Sequence, residues 1–336
     1  MNNRKALVVG IDDYSVTPLS GCVNDAIDVS TLLSRNDDRS INFSVRLKTS
    51  KTDYISRTSL RQWINECFAG DDDIALFYFS GHGYIDAQGG YIVTQDYAPH
   101  DWGISMQDIL NIANKSNCKN KVIILDCCHS GSVGAISSIG QETAIIKEGV
   151  TILTASQYDE SAAEVDGHGV FTSLLIEALM GGAADITGNV SPGSIYSYID
   201  RALGPWEQRP VFKTNVKHFI SLRKTTPPID INIVRKLIDY FDEPSKKLNL
   251  DPSYEPTNKP EIEHKVIKPY ADAKKVAIFN DLQKLESVGL VVPVDTPHMY
   301  YAAMESKSCR LTSIGQHYWR PVSYTHLRAH ETGAYL

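Results

Sequence analysis

Five short, β-prone apolar runs separated by amphipathic stretches constrain this chain more than any other feature. The runs cover residues 6–11, 43–47, 74–79, 122–125 and 150–153. Apart from 43–47, each is close to continuously apolar rather than alternating, the pattern of strands buried on both faces. Helical periodicity appears between and after them, at 23–33, 60–68, 106–113 and 171–180. Strand–helix alternation of this kind predicts an α/β domain with a largely parallel sheet flanked by helices. A helix at 195–203 and a strand at 218–222 are expected to close it, so that the domain covers residues 1–224.

Composition shifts after that point. Residues 243–269 hold five prolines and many charges with little periodicity, so 225–270 reads as a helix followed by a linker. Residues 271–320 read as a small α+β domain. There Ile278, Leu282 and Leu285 share one helical face that ends at Gly289, which takes a capping role. "LVV" and "MYYAA" then suggest a hairpin, and "LTSIGQHYW" a helix opening at Thr312. Helix, hairpin and helix resemble a winged-helix domain. The last sixteen residues, 321–336, fit no element and resemble translated adapter read-through, so they are expected to be non-native.

Bulk properties narrow the function classes. The net charge of −7 offers no basis for binding nucleic acid or an anionic membrane. Residues 226–320 carry thirteen Lys+Arg against thirteen Asp+Glu, and the candidate recognition helix has one lysine and two acids. A phosphate-binding module usually shows a basic face, so this region is expected to contact protein rather than DNA. Tyr300, Tyr301, Tyr318 and Trp319 could form a contact patch or the core of the small domain. No apolar run approaches a membrane span, and "ALVVGI" is too short for a signal-peptide core. Six cysteines without a framework spacing fit reduced thiols, and the expected compartment is the cytoplasm.

Two of the apolar runs end in chemistry. "IALFYFSGHG" delivers His82 and "KVIILDCCHSG" delivers Cys127 and Cys128. In a parallel α/β sheet, reacting groups gather at the carboxyl ends of strands, so two such ends can face one site. A free thiol is only slightly ionised at neutral pH, and a nearby imidazole can take its proton and return it to a leaving amine. Backbone N–H groups of Gly83 and Cys128 are expected to meet the developing oxyanion. If the strand runs through Cys128, side-chain alternation puts Asp126 and Cys128 on one face and Cys127 on the other. Cys128 is therefore the expected nucleophile and Cys127 a small buried hydrophobe. A zinc site from His82, Cys127, Cys128 and His129, a Cys127–Cys128 disulfide and a purely structural role stay open at this point.

These residues resemble the caspase-like cysteine peptidases, and within them the metacaspase and bacterial caspase-like branch. The resemblance runs over residues 5–222 through "ALVVGIDDY", "LSGCVNDA", "FYFSGHG", "ILDCCHSG", "TILTASQYDESAAE", "GVFTSLLIEAL" and "QRPVF", in family order. It implies a peptidase with His82 and Cys128 as its dyad and a thioester intermediate. It also implies cleavage after Arg or Lys, because Asp25 and Asp126 match the family's acidic pocket, with Cys22 and Ser80 beside them and Ser156 lining the cleft. Two carboxylates in a partly dry pocket repel each other, and a cationic side chain relieves that cost.

Of the acids that a calcium-activated relative would carry, Asp96 fits, and Asp108 stands alone where a pair is expected. Calcium wants several oxygen ligands, so no cofactor and no metal are expected. Lys147 is the basic residue of the short stretch after the cysteine turn, and hence the candidate self-processing site. The resemblance further implies an effector in bacterial stress or antiviral cell death, with an activating partner met through the C-terminal domain. The alternative is a non-catalytic caspase-like scaffold or winged-helix interaction protein.

Overall fold

The computed structural model describes residues 3–86, 88–127, 146–155, 164–165, 168–203, 210–218, 220–257 and 271–319. The chain divides into two compact units, Met1–Thr226 and Pro227–Leu336. The first unit opens with β1 (Arg4–Gly10), α1 (Cys22–Ser34), β2 (Ser44–Thr49), α2 (Arg57–Phe68) and β3 (Ile74–Ser80). Then come β4 (Gly83–Asp86), β5 (Gly89–Ala98), β6 (Asp101–Ser105), α3 (Met106–Lys115), β7 (Asn120–Asp126) and β8 (Val150–Thr154). It continues through β9 (Glu164–Val165), β10 (His168–Gly169), α4 (Val170–Glu177), β11 (Asn189–Val190), α5 (Pro192–Ala202), β12 (Val211–Asn215) and β13 (Arg223–Lys224).

Six strands form one sheet in the order β12-β8-β7-β3-β1-β2. The β1–β2, β1–β3, β3–β7 and β7–β8 pairs are parallel, and β12 lies antiparallel to β8. β3 shows why its sequence is continuously apolar. Ala75, Phe77 and Phe79 enter one core with residues of α2 and α3, while Ile74, Leu76 and Tyr78 enter a second with residues of α1, α4 and α5. Both faces of the strand are thus covered by helices. Local chemistry starts the helices: Ser56 with Ser59 and Ser191 with Ser194 form reciprocal caps on α2 and α5, and Ser105 caps α3. At α1 the cap comes from afar, since the Asp12 carboxylate accepts from the amides of Cys22 at 2.8 Å and Val23 at 3.3 Å.

The parallel sheet and its flanking helices agree with expectation, with two differences. Among the described residues of the strand expected at 218–222, none is in a strand, and the sheet is closed by β12 at Val211–Asn215. Leu222 is instead buried in a connection, its amide donating to the Val190 carbonyl, and only Arg223–Lys224 pairs, with β11. An apolar run alone does not separate a strand from a buried connection. The sheet β4-β5-β6 is the second difference, an antiparallel layer that the apolar runs did not mark. Its strands are half-exposed, so their apolar residues are interrupted.

The second unit contains α6 (Ile231–Arg235), α7 (Leu237–Tyr240), β14 (Leu248–Asn249), a 3₁₀ turn at Pro252–Tyr254, and α8 (Ala273–Ser287). β15 (Val291–Val294), α9 (Met299–Met304), β16 (Ser308–Leu311) and α10 (Ser313–Trp319) complete it. Its sheet has the order β14-β16-β15. Part of the stretch read as linker is therefore built into this unit: Leu248 pairs with Cys309, and Lys275 bridges back to Asp251 at 2.7 Å. "MYYAA" is a helix, not the second strand of a hairpin. Met299, Ala302 and Ala303 are buried at helical spacing, and burial of that face outweighs the strand preference of two tyrosines. β15 pairs with β16 instead, and Thr312 caps α10 through Gly315, as its position suggested.

Gly10 sets the fit of α1 against β1. A Cβ there would lie 2.2 Å from the Cys22 carbonyl oxygen and 2.8 Å from Ala26 Cβ. Gly10→Ala is expected to destabilise the protein by about 1–3 kcal/mol, the usual cost of overpacking. A lower urea midpoint at unchanged slope would establish this.

Candidate active site

The site begins with a register. β3 and β7 pair in parallel from Ile74↔Asn120 to Ser80↔Asp126, so the two strands end side by side. The Gly81 amide then donates to the Asp126 carbonyl at 3.2 Å, which holds the two exits together. Only glycine fits at position 81, because a Cβ would meet Tyr14 Oη at 2.6 Å and Phe79 Cζ at 2.8 Å.

His82 follows, with its backbone pinned on both sides. Its amide donates to Tyr14 Oη at 3.0 Å, Tyr14 in turn donates to the Val93 carbonyl at 3.2 Å, and the His82 carbonyl accepts from the Val93 amide at 2.9 Å. The imidazole packs on the Tyr14 ring, centroids 4.6 Å apart. Its Nε2 lies 2.7 Å from the Thr17 carbonyl and 3.1 Å from Thr17 Oγ1. A carbonyl can only accept, so Nε2 carries the proton and the neutral ring presents Nδ1 as its base. Burial pushes the Tyr14 phenol well above its ordinary value, so it stays a neutral hydrogen-bonding post. Gly83, half-buried, opens β4 directly after the histidine.

β7 ends at Asp126, so strand alternation does not extend to Cys128 as assumed from the sequence. Cys127 is 5% exposed and packs in the core that also holds Tyr14 and Phe79. Cys128, His129 and Ser156 lie outside the described residues. Lys147 is exposed, its amide bound to Asn114 Oδ1 at 3.0 Å.

The other predicted residues converge below the strand ends. Asp25, on the first turn of α1, is buried; its Oδ2 accepts from Ser80 Oγ at 2.9 Å, and its Oδ1 lies 2.8 Å from His168 Nδ1. Asp126 Oδ2 accepts from Thr172 Oγ1 at 2.6 Å. That leaves the Thr172 oxygen to accept from the Tyr78 hydroxyl, also at 2.6 Å, so the chain of donors runs Tyr78 to Thr172 to Asp126.

Burial raises both carboxyls. Asp25 moves up less than burial alone would dictate, because His168 and Ser80 bind its charged form. Asp126 is pushed up to about 7, first by burial and then by the charge of Asp25, with Thr172 acting against them. Cys22, beside Ser80, is pushed far up by burial and forms a neutral wall. His168, Thr172 and Tyr78 were not singled out from the sequence. Thr172 and Gly169 stand in the quoted "GVFTSLLIEAL", but nothing in that helical pattern indicates that they face carboxylates.

The acids considered for a cation are already engaged. Asp96 Oδ1 accepts from the Arg57 amide at 2.9 Å and Thr94 Oγ1 at 2.7 Å, Asp108 pairs with Arg61, and Asp101 with Arg57. No group of three or more His, Cys, Asp and Glu suited to a metal occurs among the described residues. No helix among them is long and apolar enough to cross a membrane.

A stretch of the chain is 28% identical over 149 residues to Metacaspase-9 of Arabidopsis thaliana, covering 40% of this chain and 45% of that protein. The chain thus spans less than half the length of this plant relative. A crystal structure of a Geobacter sulfurreducens protein aligns with a TM-score of 0.48 at 18% identity, over 67% of this chain and 98% of that one. The family model of the caspase domain matches residues 3–219, nearly the whole first unit. With the parallel sheet, the strand-end histidine and the paired carboxylates in place, the chain belongs to the caspase-domain family of peptidases.

Proposed function

We propose that this chain is a cysteine endopeptidase that cleaves after Arg or Lys, with His82 as base and Cys128 as nucleophile. The observation that carries the reading is the Ser80↔Asp126 register. Each strand contributes a pocket residue at its last position and a candidate reacting residue two positions later, so one substrate can engage both. His82 Nδ1 takes the thiol proton, and the thiolate attacks the scissile carbonyl carbon. The carbonyl electrons move onto oxygen, and the oxyanion accepts hydrogen bonds from the N–H groups of Gly83 and Cys128. Collapse breaks the C–N bond, the imidazolium returns its proton to the leaving amine, and water hydrolyses the thioester.

Basic specificity is supported by the donor set. Asp25 and Asp126 are held as acceptors beneath a neutral wall, and a cationic side chain offsets their mutual repulsion where a carboxylate would add to it. In the second unit, the balanced charge supports a module for protein contact, and the helices around its three-stranded sheet are compatible with a winged-helix reading. An activating partner in a bacterial stress or antiviral response would meet the protein there.

Fluorogenic peptides differing only in Arg, Lys or Asp before the scissile bond test the reading. Basic peptides are expected to be cleaved, with activity falling to background in Cys128→Ala and persisting in Cys127→Ala. Asp25→Asn is expected to lower kcat/KM on them by about 10- to 100-fold, the loss of one charged hydrogen bond. Cleavage after Asp alone would overturn the pocket assignment and leave the dyad.

Asp126 gives a prediction on stability. A carboxyl held up at about 7 favours the folded state when protonated. That contribution is complete below the ordinary carboxylate value of about 4 and is lost as pH rises through the raised one. Relative to Asp126→Asn, the wild-type protein is therefore expected to lose stability across this window, measured by urea denaturation at successive pH values. A constant difference would contradict it.

Lys147 is exposed at the end of the segment that follows Cys128, and we assign it as a self-processing site. On gels, wild-type protein should convert with time to two fragments, while Lys147→Ala and Cys128→Ala stay whole. Full peptidase activity in an uncleaved wild-type chain would refute a need for processing.

A further inference from the structure

His168 opens β10, and its imidazole stands between two carboxylates of α1. Nδ1 is 2.8 Å from Asp25 Oδ1, and Nε2 is 3.4 Å from Asp28 Oδ2. The His168 side chain is 23% exposed, the Asp25 side chain 2% and the Asp28 side chain 50%. The ring therefore lies on the path from solvent to the buried Asp25. The next residue closes over the second pocket acid: a Cβ on Gly169 would come 2.9 Å from Asp126 Oδ2 and 3.7 Å from Asp25 Oδ2. The Gly169 backbone also hydrogen-bonds to Asp25. Asp25 Oδ2 is taken by Ser80 and Oδ1 by His168, so a substrate cation approaching Asp25 meets a donor already seated there.

We propose that His168 is a specificity-determining residue, an internal occupant of the acidic pocket that the substrate's basic side chain must displace from Asp25. The proposal rests on the reading of Asp25 and Asp126 as the substrate pocket. The imidazole turns one ring nitrogen to Asp25, whereas a guanidinium is always charged and offers two parallel N–H groups to a carboxylate. Arg therefore displaces the ring most readily. Lys, a strongly hydrated point charge with no planar fork, does so less well, and an uncharged side chain gains nothing that the ring does not already supply. The occupant turns an acidic pocket that would take any cation into one that ranks them.

Calorimetric binding of benzamidine, an aromatic amidinium that mimics the arginine fork, tests this on the full chain without requiring turnover. His168→Ala is expected to bind it about 10- to 100-fold more tightly than wild type, the range for removing one competing charged hydrogen bond. Asp25→Asn is expected to lose binding. His168→Gln keeps an amide donor toward Asp25 without the ring charge and should fall between wild type and His168→Ala. If the alanine variant does not fold, the glutamine variant decides on the same criterion of tighter binding than wild type.

With peptides, the gain should appear in KM and should be larger for Lys than for Arg, narrowing the gap between them. If Asp25→Asn loses benzamidine but neither His168 variant binds it more tightly, His168 holds Asp25 in place and the occupant role is refuted with the pocket intact. If wild type and Asp25→Asn bind alike, the pocket reading itself fails and the occupant role fails with it.

Discussion

The parallel pairing of β3 with β7 is the constraint on which the site depends. Seven residue pairs in unbroken register bring Ser80 opposite Asp126, and the Gly81 amide extends the ladder one step to the Asp126 carbonyl. A slip of one residue would turn every side chain of a strand to the other face. Here both faces are buried, with Phe77 and Phe79 in one core and Leu76 and Tyr78 in the other, so a slip would exchange rings between two packed interiors. The precision of the active-site end is thus a consequence of packing along the whole strand.

The loop connections take their position from that frame. His82 is not held by its own strand but by Tyr14, which arrives from the end of β1 and hydrogen-bonds both to the His82 amide and to β5. Thr17, from the same connection, meets the imidazole and selects its tautomer. Asp12 accepts the first amides of α1 and so anchors the helix turn that carries Cys22 and Asp25. One connection therefore sets both His82 and Asp25. Cys22 and Asp25 cannot move independently of β1, because Gly10 leaves no room between that strand and α1.

The paired carboxylates are expensive to hold, and the fold meets the cost with hydrogen-bond donors. Ser80 and His168 serve Asp25, and the Tyr78–Thr172 chain serves Asp126. Among the contacts described for Asp126, none comes from a cation, and its carboxyl is raised first by burial and then by the charge of Asp25. A site organised in this way retains unmet demand for positive charge. Strongly paired carboxylates, such as Asp101 with Arg57 and Asp108 with Arg61, lack that demand.

Much of this was legible in the residue order. Runs such as "IALFYF" and "KVIILD" announce strands covered on both sides, since a continuous apolar stretch with β-branched and aromatic residues has few other stable uses. The chemistry at their ends singled out His82, and the resemblance to the caspase-like peptidases marked Ser80, Asp126 and Asp25. The half-exposed strands β4 to β6, the true closing strand β12 and the helical fate of "MYYAA" were not legible. Each depends on which face a distant element covers. His168 is the sharpest case: it lies 143 positions from the aspartate it touches, and a lone histidine before a helix carries no local sign of its partner. By itself, the sequence determined the main strands and helices of the parallel sheet and the family, because these follow from local periodicity and short motifs. The tertiary structure alone decided the tautomer of His82, the donors of each carboxylate and the seat of His168, because hydrogen bonds and desolvation are properties of neighbours in space.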